Sequence, residues 1–247
     1  MRGAAIGVMA LLAGCLTPLP HDAPGEEPDE AAPEFLPIRF DHCVHQLAFV
    51  GVPEDDAAAR LPDGFRPVLL AADLAQLVVH ATTCESVDNT TGGMHEMLFA
   101  LGVVPPADLV RDDVEFHVFY TYLVTDNASA WLRYSAWDVP GETGPVTIDV
   151  TTGGAGTGTS MAAGVRFTTV VAGMPSDGPA GAVRIFTEGA GVLSAVDYDF
   201  TPYHLVPGGA TLDDPAGVSG FTVLQAVGYG VHEWGEGYGL ILTRSRF

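Results

Sequence analysis

From Leu36 onward, apolar and polar residues alternate in short runs separated by glycine, proline and aspartate, the pattern of strands joined by turns. Strands are predicted over 42–50, 77–82, 94–104, 114–124, 145–152, 165–171, 182–187, 191–200 and 237–243. Pro105-Pro106 stops the run at 94–104, and the run at 114–124 carries four aromatic residues. A short helix is predicted over 54–61, with Glu54, Asp55 and Asp56 in its first turn and Pro62-Asp63-Gly64 at its end. A second is predicted over 127–134. The stretch 220–227 fits a helix or a strand, and the glycine-rich stretch 153–164 reads as a flexible hairpin loop. Many short strands without an internal repeat predict a mainly β domain, a barrel or a sandwich.

The first residues follow a different pattern. Met1-Arg2 precedes an apolar run over 3–12 that ends in Leu12-Ala13-Gly14-Cys15. A basic start, an apolar stretch and small residues before the cut make a secretory signal. Ten apolar residues fall short of the roughly 20 that a membrane-crossing helix needs. The cysteine after Ala-Gly resembles the bacterial and archaeal lipobox, whose thiol is diacylated and whose chain is cleaved before it. The expected division is a signal peptide at 1–14, a tether at 15–35 with Cys15 lipidated, and a folded domain at 36–247. The tether is rich in proline and acid and lacks periodicity, so it reads as a stiffened, solvated spacer with His21 inert in it. The expected location is the cell envelope, membrane-anchored and facing outside the cytoplasm.

Charge and composition narrow the chemistry. The net charge is −21, a surface that repels nucleic acid and anionic lipid heads and keeps the protein soluble. The chain contains no lysine. This excludes a pyridoxal phosphate site, a lysine Schiff base and a Walker-type phosphate loop. With Cys15 assigned to lipid, Cys43 and Cys84 remain, in a compartment that permits disulfides. They are read as a disulfide or as two buried thiols. No cofactor is expected.

The order of segments resembles the acetoacetate decarboxylase superfamily. His45-Gln46-Leu47-Ala48-Phe49 through Leu61-Pro62-Asp63-Gly64-Phe65 is similar to its strand, helix and proline-marked turn. The run Met94-His95-Glu96 is similar to its Y-x-E strand. Phe119-Tyr120-Thr121-Tyr122-Leu123-Val124-Thr125-Asp126-Asn127-Ala128 and Trp131 through Pro140 are similar to its next two motifs. The resemblance covers 36–247 in outline and 45–140 with specificity. It implies a closed, antiparallel or mixed β-barrel around a small-acid pocket. In that family two lysines follow the proline, and one forms an imine with a keto acid. Here Gly141, Glu142 and Thr143 follow Pro140, so Schiff-base decarboxylation is expected to be absent.

The resemblance places Glu96 in the pocket, where burial in an apolar interior would raise its pKa; a Glu held in a hydrogen-bond network or at a strand end is the alternative. Arg133 matches a family arginine and is expected to pair with Glu96, with a ligand or in a structural ion pair. Tyr122 and Trp137, with Phe119 and Trp131, are expected to line the core or the pocket. No metal is expected: His42, His45, His80, Cys43 and Cys84 lack zinc-type spacing, His95 points outward, and the His232-Glu233 pair lacks a second histidine and reads as a loop or edge. The leading expectation is a lipid-anchored binder of a small apolar or weakly polar molecule, contacted by Glu96, Arg133, Tyr122 and Trp137. The alternatives are a lysine-independent lyase, isomerase or hydrolase using Glu96 as acid or base, and a ligand-free envelope scaffold.

Overall fold

A computed structural model describes residues 37–88, 92–114, 116–189, 191–235 and 239–247. The signal peptide, Cys15 and the tether lie outside the described residues. The strands are β1 (Ile38–Pro53), β2 (Arg66–Pro67), β3 (Leu69–Ala71), β4 (Leu74–Val87), β5 (Met94–Val104), β6 (Phe116–Thr125), β7 (Gly141–Thr143), β8 (Val146–Val150), β9 (Gly156–Ala162), β10 (Val165–Val171), β11 (Ser176–Gly178), β12 (Gly181–Gly189), β13 (Val192–Phe200), β14 (Tyr203–Asp213), β15 (Gln225–Trp234) and β16 (Leu240–Arg246). The helices are α1 (Glu54–Ala58) and α2 (Ala128–Ala136). The fold is mainly β, as the alternation predicts.

All strands belong to one mixed sheet whose main path runs β3-β4-β5-β6-β12-β13-β16-β1-β15-β14-β10-β9-β8. β1 is the hub. It pairs with β4 from Phe40 to Pro53, with β16 over Ile38 to Phe40, and with β15 beyond. The β6–β12 and β6–β7 pairs are parallel.

Two apolar cores lie against this sheet, and β4 and β5 serve both. Along β5, Met94, Leu98 and Ala100 enter one core, while Met97, Phe99, Leu101 and Val103 enter the other. Strands buried on both faces read as nearly continuous apolar runs, which is why 94–104 shows so little polar alternation. The β10 run 165–171 instead alternates buried and open positions and faces a core on one side only. The first core, which holds Glu96, draws residues from β1, β4, β5, β6, β12, β13 and β16 and is covered by Tyr134, Trp137 and Val139 from α2 and the segment after it. The second joins the opposite faces of β1, β4 and β5 to β8, β9, β10 and β14.

His42 has φ 53°, and the alternation of β1 breaks there. Phe40 and Cys43, three residues apart, therefore face the same core, and Val87 and Cys84 do the same on β4. Cys43 and Cys84 stand directly opposite each other and form a disulfide.

Three sequence expectations are corrected. The 153–164 stretch is not a loop: β9 occupies most of it. Its glycines are required by space, since a Cβ on Gly156 would lie 2.6 Å from Thr151 Cβ and one on Gly158 would lie 2.7 Å from His232 Nε2. His232-Glu233 lies inside β15, with His232 fully buried. β14 forms where no strand was predicted, because glycine and proline interrupt its pattern at Pro207-Gly208-Gly209. A Cβ on Gly208 would fall 2.1 Å from Val170 O, so close packing of β10 against β14 demands glycine there.

Candidate functional site

Glu96 is fully buried on the first core's face of β5. Its carboxylate is held at both oxygens. The Tyr134 hydroxyl, from α2, donates to Oε2 at 2.9 Å, and the Tyr198 hydroxyl, from β13, donates to Oε1 at 3.0 Å. Asn127 starts α2 by accepting the backbone N–H groups of Ser129 and Ala130, which fixes the helix that delivers Tyr134. Burial raises the Glu96 pKa to about 7; the two tyrosine bonds pull it down and only partly offset the burial. Among the described residues no cation contributes to its titration. The site is therefore a carboxyl that can hold or release a proton near neutral pH.

The register extends this polar patch across three strands. Thr82 on β4 pairs with Glu96, and His45 on β1 pairs with Thr82. His45 Nδ1 lies 2.6 Å from His80 Nε2 and 2.9 Å from Thr82 Oγ1, and Thr82 Oγ1 lies 2.8 Å from His80 Nε2. Burial holds both imidazoles in the neutral form: it pushes His80 down to about 4, and burial together with the His80 charge pushes His45 well below its ordinary value. The His80 ring stands edge-on to Tyr198, with centroids 6.4 Å apart. Tyr120, buried on β6, interacts with the Glu96 charge and has its own pKa raised, mainly by burial. The cluster is thus one buried carboxyl, three phenols, two neutral imidazoles and a hydroxyl.

The structure separates the residues singled out by sequence. Trp137 joins the Glu96 core, fully buried and edge-on to Tyr134 at 6.3 Å. Tyr122 packs against the opposite core, and its hydroxyl bonds to Glu142. Arg133 does not meet Glu96. It pairs with Asp88 at 2.6 Å and donates to Pro37 O at 3.1 Å, because consecutive helical residues point in different directions and Tyr134 takes the inward one. His95, as expected, points outward, to Asp126. Sequence reasoning missed Tyr120, Tyr134 and Tyr198 as partners of Glu96; Tyr120 and Tyr134 lay within the motif-like runs 119–128 and 131–140, and Tyr198 was one aromatic in a predicted strand.

The segment after Pro140 holds no buried side chain that could reach Glu96. Gly141 pairs with Leu123 of β6 and has φ 154°, and a Cβ there would sit 2.0 Å from Leu123 O. Any side chain at 141 would force β6 and β7 apart. Glu142 and Thr143 are exposed.

Two other features lie apart from Glu96. A cavity of about 450 Å³ beside α1 is lined by Asp56, Arg60, Gly220 and Phe221, on the side of the second core. The Arg60 guanidinium is already engaged there, by Gly220 O and by the Phe221 ring 4.6 Å away. A buried chain of hydrogen bonds runs from Ser160 to Gln46, Thr169, His232 and the carbonyl of Thr151. Its direction is fixed: with His232 Nδ1–H donating to Thr151 O, Nε2 accepts from the Thr169 hydroxyl, which in turn accepts from the Gln46 amide. It reads as a satisfied structural network.

No family model and no curated protein matches the chain. Solved structures do. Acetoacetate decarboxylase from Legionella pneumophila is similar with a TM-score of 0.62 and 12% identity, covering 100% of this chain and 98% of that one. The enduracididine biosynthesis enzyme MppR, solved with HEPES buffer bound, gives 0.60 at 19% identity, covering 86% and 88%. An acetoacetate decarboxylase-like enzyme from Sphingomonas wittichii RW1 gives 0.58 at 14%, covering 85% and 92%. The chain has the acetoacetate decarboxylase-like fold.

Proposed function

We propose that this chain, built on the acetoacetate decarboxylase-like fold, is a lipid-anchored protein that holds a small, apolar or weakly polar molecule against Glu96 and performs no imine chemistry. The observation that carries the reading is Glu96 itself: a carboxyl with both oxygens bound by tyrosines, buried in an apolar core, with no cation among the described residues contributing to its titration. The pairing of β1 with β4, strands far apart along the main sheet path, supports a seven-strand barrel closed around that core. MppR has been solved in complex with pyruvate. A keto-acid anion of that kind would meet here no lysine and a carboxyl instead of a cation, so an uncharged guest fits this interior better.

Native mass spectrometry of the protein purified from its own host tests the reading. A non-covalent adduct of small mass, weakened in Glu96→Ala, is the expected result; a ligand-free protein that also takes up no small apolar compound overturns it. Anchoring is tested separately. Cys15→Ser should move the protein from the membrane fraction to the medium, since durable attachment needs more than one acyl chain. Unchanged membrane retention refutes the anchor.

A second reading is supported by the pKa of about 7. A carboxyl poised near neutrality is matched to general acid–base work. Deuterium exchange at carbon positions of a bound ketone, lost in Glu96→Gln, would mark catalysis rather than storage.

A further inference from the structure

We infer that the guest of the Glu96 core is an uncharged molecule bearing a hydrogen-bond acceptor, a carbonyl compound rather than a carboxylate or a plain hydrocarbon, and that Tyr120 and Trp137 are the donors that select it. This rests on the small-molecule reading above and specifies its chemistry.

Two polar atoms in this core are buried without a hydrogen-bond partner among the described residues: Tyr120 Oη and Trp137 Nε1. Tyr120 is 2% exposed and Trp137 0%. Most buried polar atoms are paired, so two orphans in one core call for an explanation. Both belong to the apolar cluster around Glu96. Tyr120 interacts with the Glu96 charge, and the Trp137 ring stands edge-on to Tyr134, the tyrosine that donates to Glu96. The orphans and the carboxyl thus belong to one core.

Their chemistry is specific. An indole nitrogen can only donate, and a phenol whose neighbours are donors and a carboxyl has a proton to offer. Each Glu96 oxygen already accepts one hydrogen bond, Oε2 from Tyr134 and Oε1 from Tyr198. Free donors beside an occupied acceptor fit a guest that accepts. A carbonyl oxygen can accept from either donor without bringing charge. A carboxylate would also accept, but it would place a second anion beside Glu96 with no cation among the described residues to offset it. A hydrocarbon would leave both donors unpaired, which costs binding energy.

Isothermal titration of the full chain with three probes of one ring size tests this: cyclohexanone, methylcyclohexane and cyclohexanecarboxylate at pH 8. Cyclohexanone should bind about tenfold more tightly than methylcyclohexane, the usual margin of one satisfied buried donor, and cyclohexanecarboxylate should bind more weakly than either. Tyr120→Phe removes a hydroxyl with no partner, so the variant should unfold at the same temperature as the parent or higher. It should lose most of the ketone's advantage while keeping its affinity for methylcyclohexane. Equal binding of ketone and hydrocarbon, tightest binding of the carboxylate, or an unaltered ketone preference in Tyr120→Phe overturns the inference while leaving small-molecule binding intact. Failure of all three probes to bind counts against the small-molecule reading itself.

Discussion

Replacing Asp197 with alanine should destabilise the fold by about 3–5 kcal/mol, the loss seen when one partner of a buried ion pair is removed. Arg184 and Asp197 stand directly opposite each other on β12 and β13. The Arg184 fork grips the carboxylate at two points, Nε to Oδ1 at 2.7 Å and Nη2 to Oδ2 at 2.9 Å, with the two side chains 8% and 7% exposed. Arg111 reaches the same carboxylate at 2.8 Å but also binds Asp113 at the surface, so it has an alternative partner. Among the described residues no second carboxylate forms an ion pair with Arg184; its other close partner is the Phe247 ring, 5.7 Å away, and Asp113 feels its charge only at longer range. Alanine at 197 would strand its charge in the interior. The double variant Arg184→Met with Asp197→Leu should recover most of the loss, because matched apolar residues avoid the desolvation cost. Urea midpoints of the single and double variants check this. A loss below about 1 kcal/mol in Asp197→Ala would show that the pair behaves as an exposed one.

The contrast between elements that were legible in the sequence and those that were not follows from what each face touches. The runs at 94–104 and 165–171 were readable because their side chains decide their burial. β9 was hidden because its glycines answer to neighbours on other strands: Gly158 is small so that His232, Thr169 and Gln46 can meet beside it. No local pattern reports a constraint set by partners 63 to 123 residues apart. The site shows the same division. Glu96 was legible as an acid in an apolar strand that resembled a known motif. Its partners were not, because Tyr134 and Tyr198 reach it across 38 and 102 residues of sequence. Arg133 was assigned to the pocket by motif position, and the helix turned it outward to Asp88.

Glu96 should make the folded state lose stability as pH rises, and Glu96→Gln should abolish that loss. The folded carboxyl titrates at about 7, against 4.5 for a glutamate in water. Below 4.5 it is protonated in both states and costs nothing. Between 4.5 and 7 the unfolded chain releases the proton while the folded chain keeps it, so unfolding gains with each step of pH, by about 3 kcal/mol across the window. His45 and His80 act in the opposite sense. Their folded pKa values are depressed, His80 to about 4, so the folded state excludes protons that the unfolded chain binds below 6.5, and stability falls as the solution is acidified. The two slopes partly cancel in the wild type, and its own curve can look flat. The difference between wild type and Glu96→Gln isolates the carboxyl, because the histidines are common to both. That difference should grow in favour of the glutamine variant from pH 4.5 to about 7 and then level off, as read from urea unfolding at each pH. The amide keeps an oxygen for one tyrosine, and the other tyrosine can turn its hydroxyl to accept from the amide N–H, so the variant should fold. A difference that does not change with pH would mean that the carboxyl titrates as it does in water.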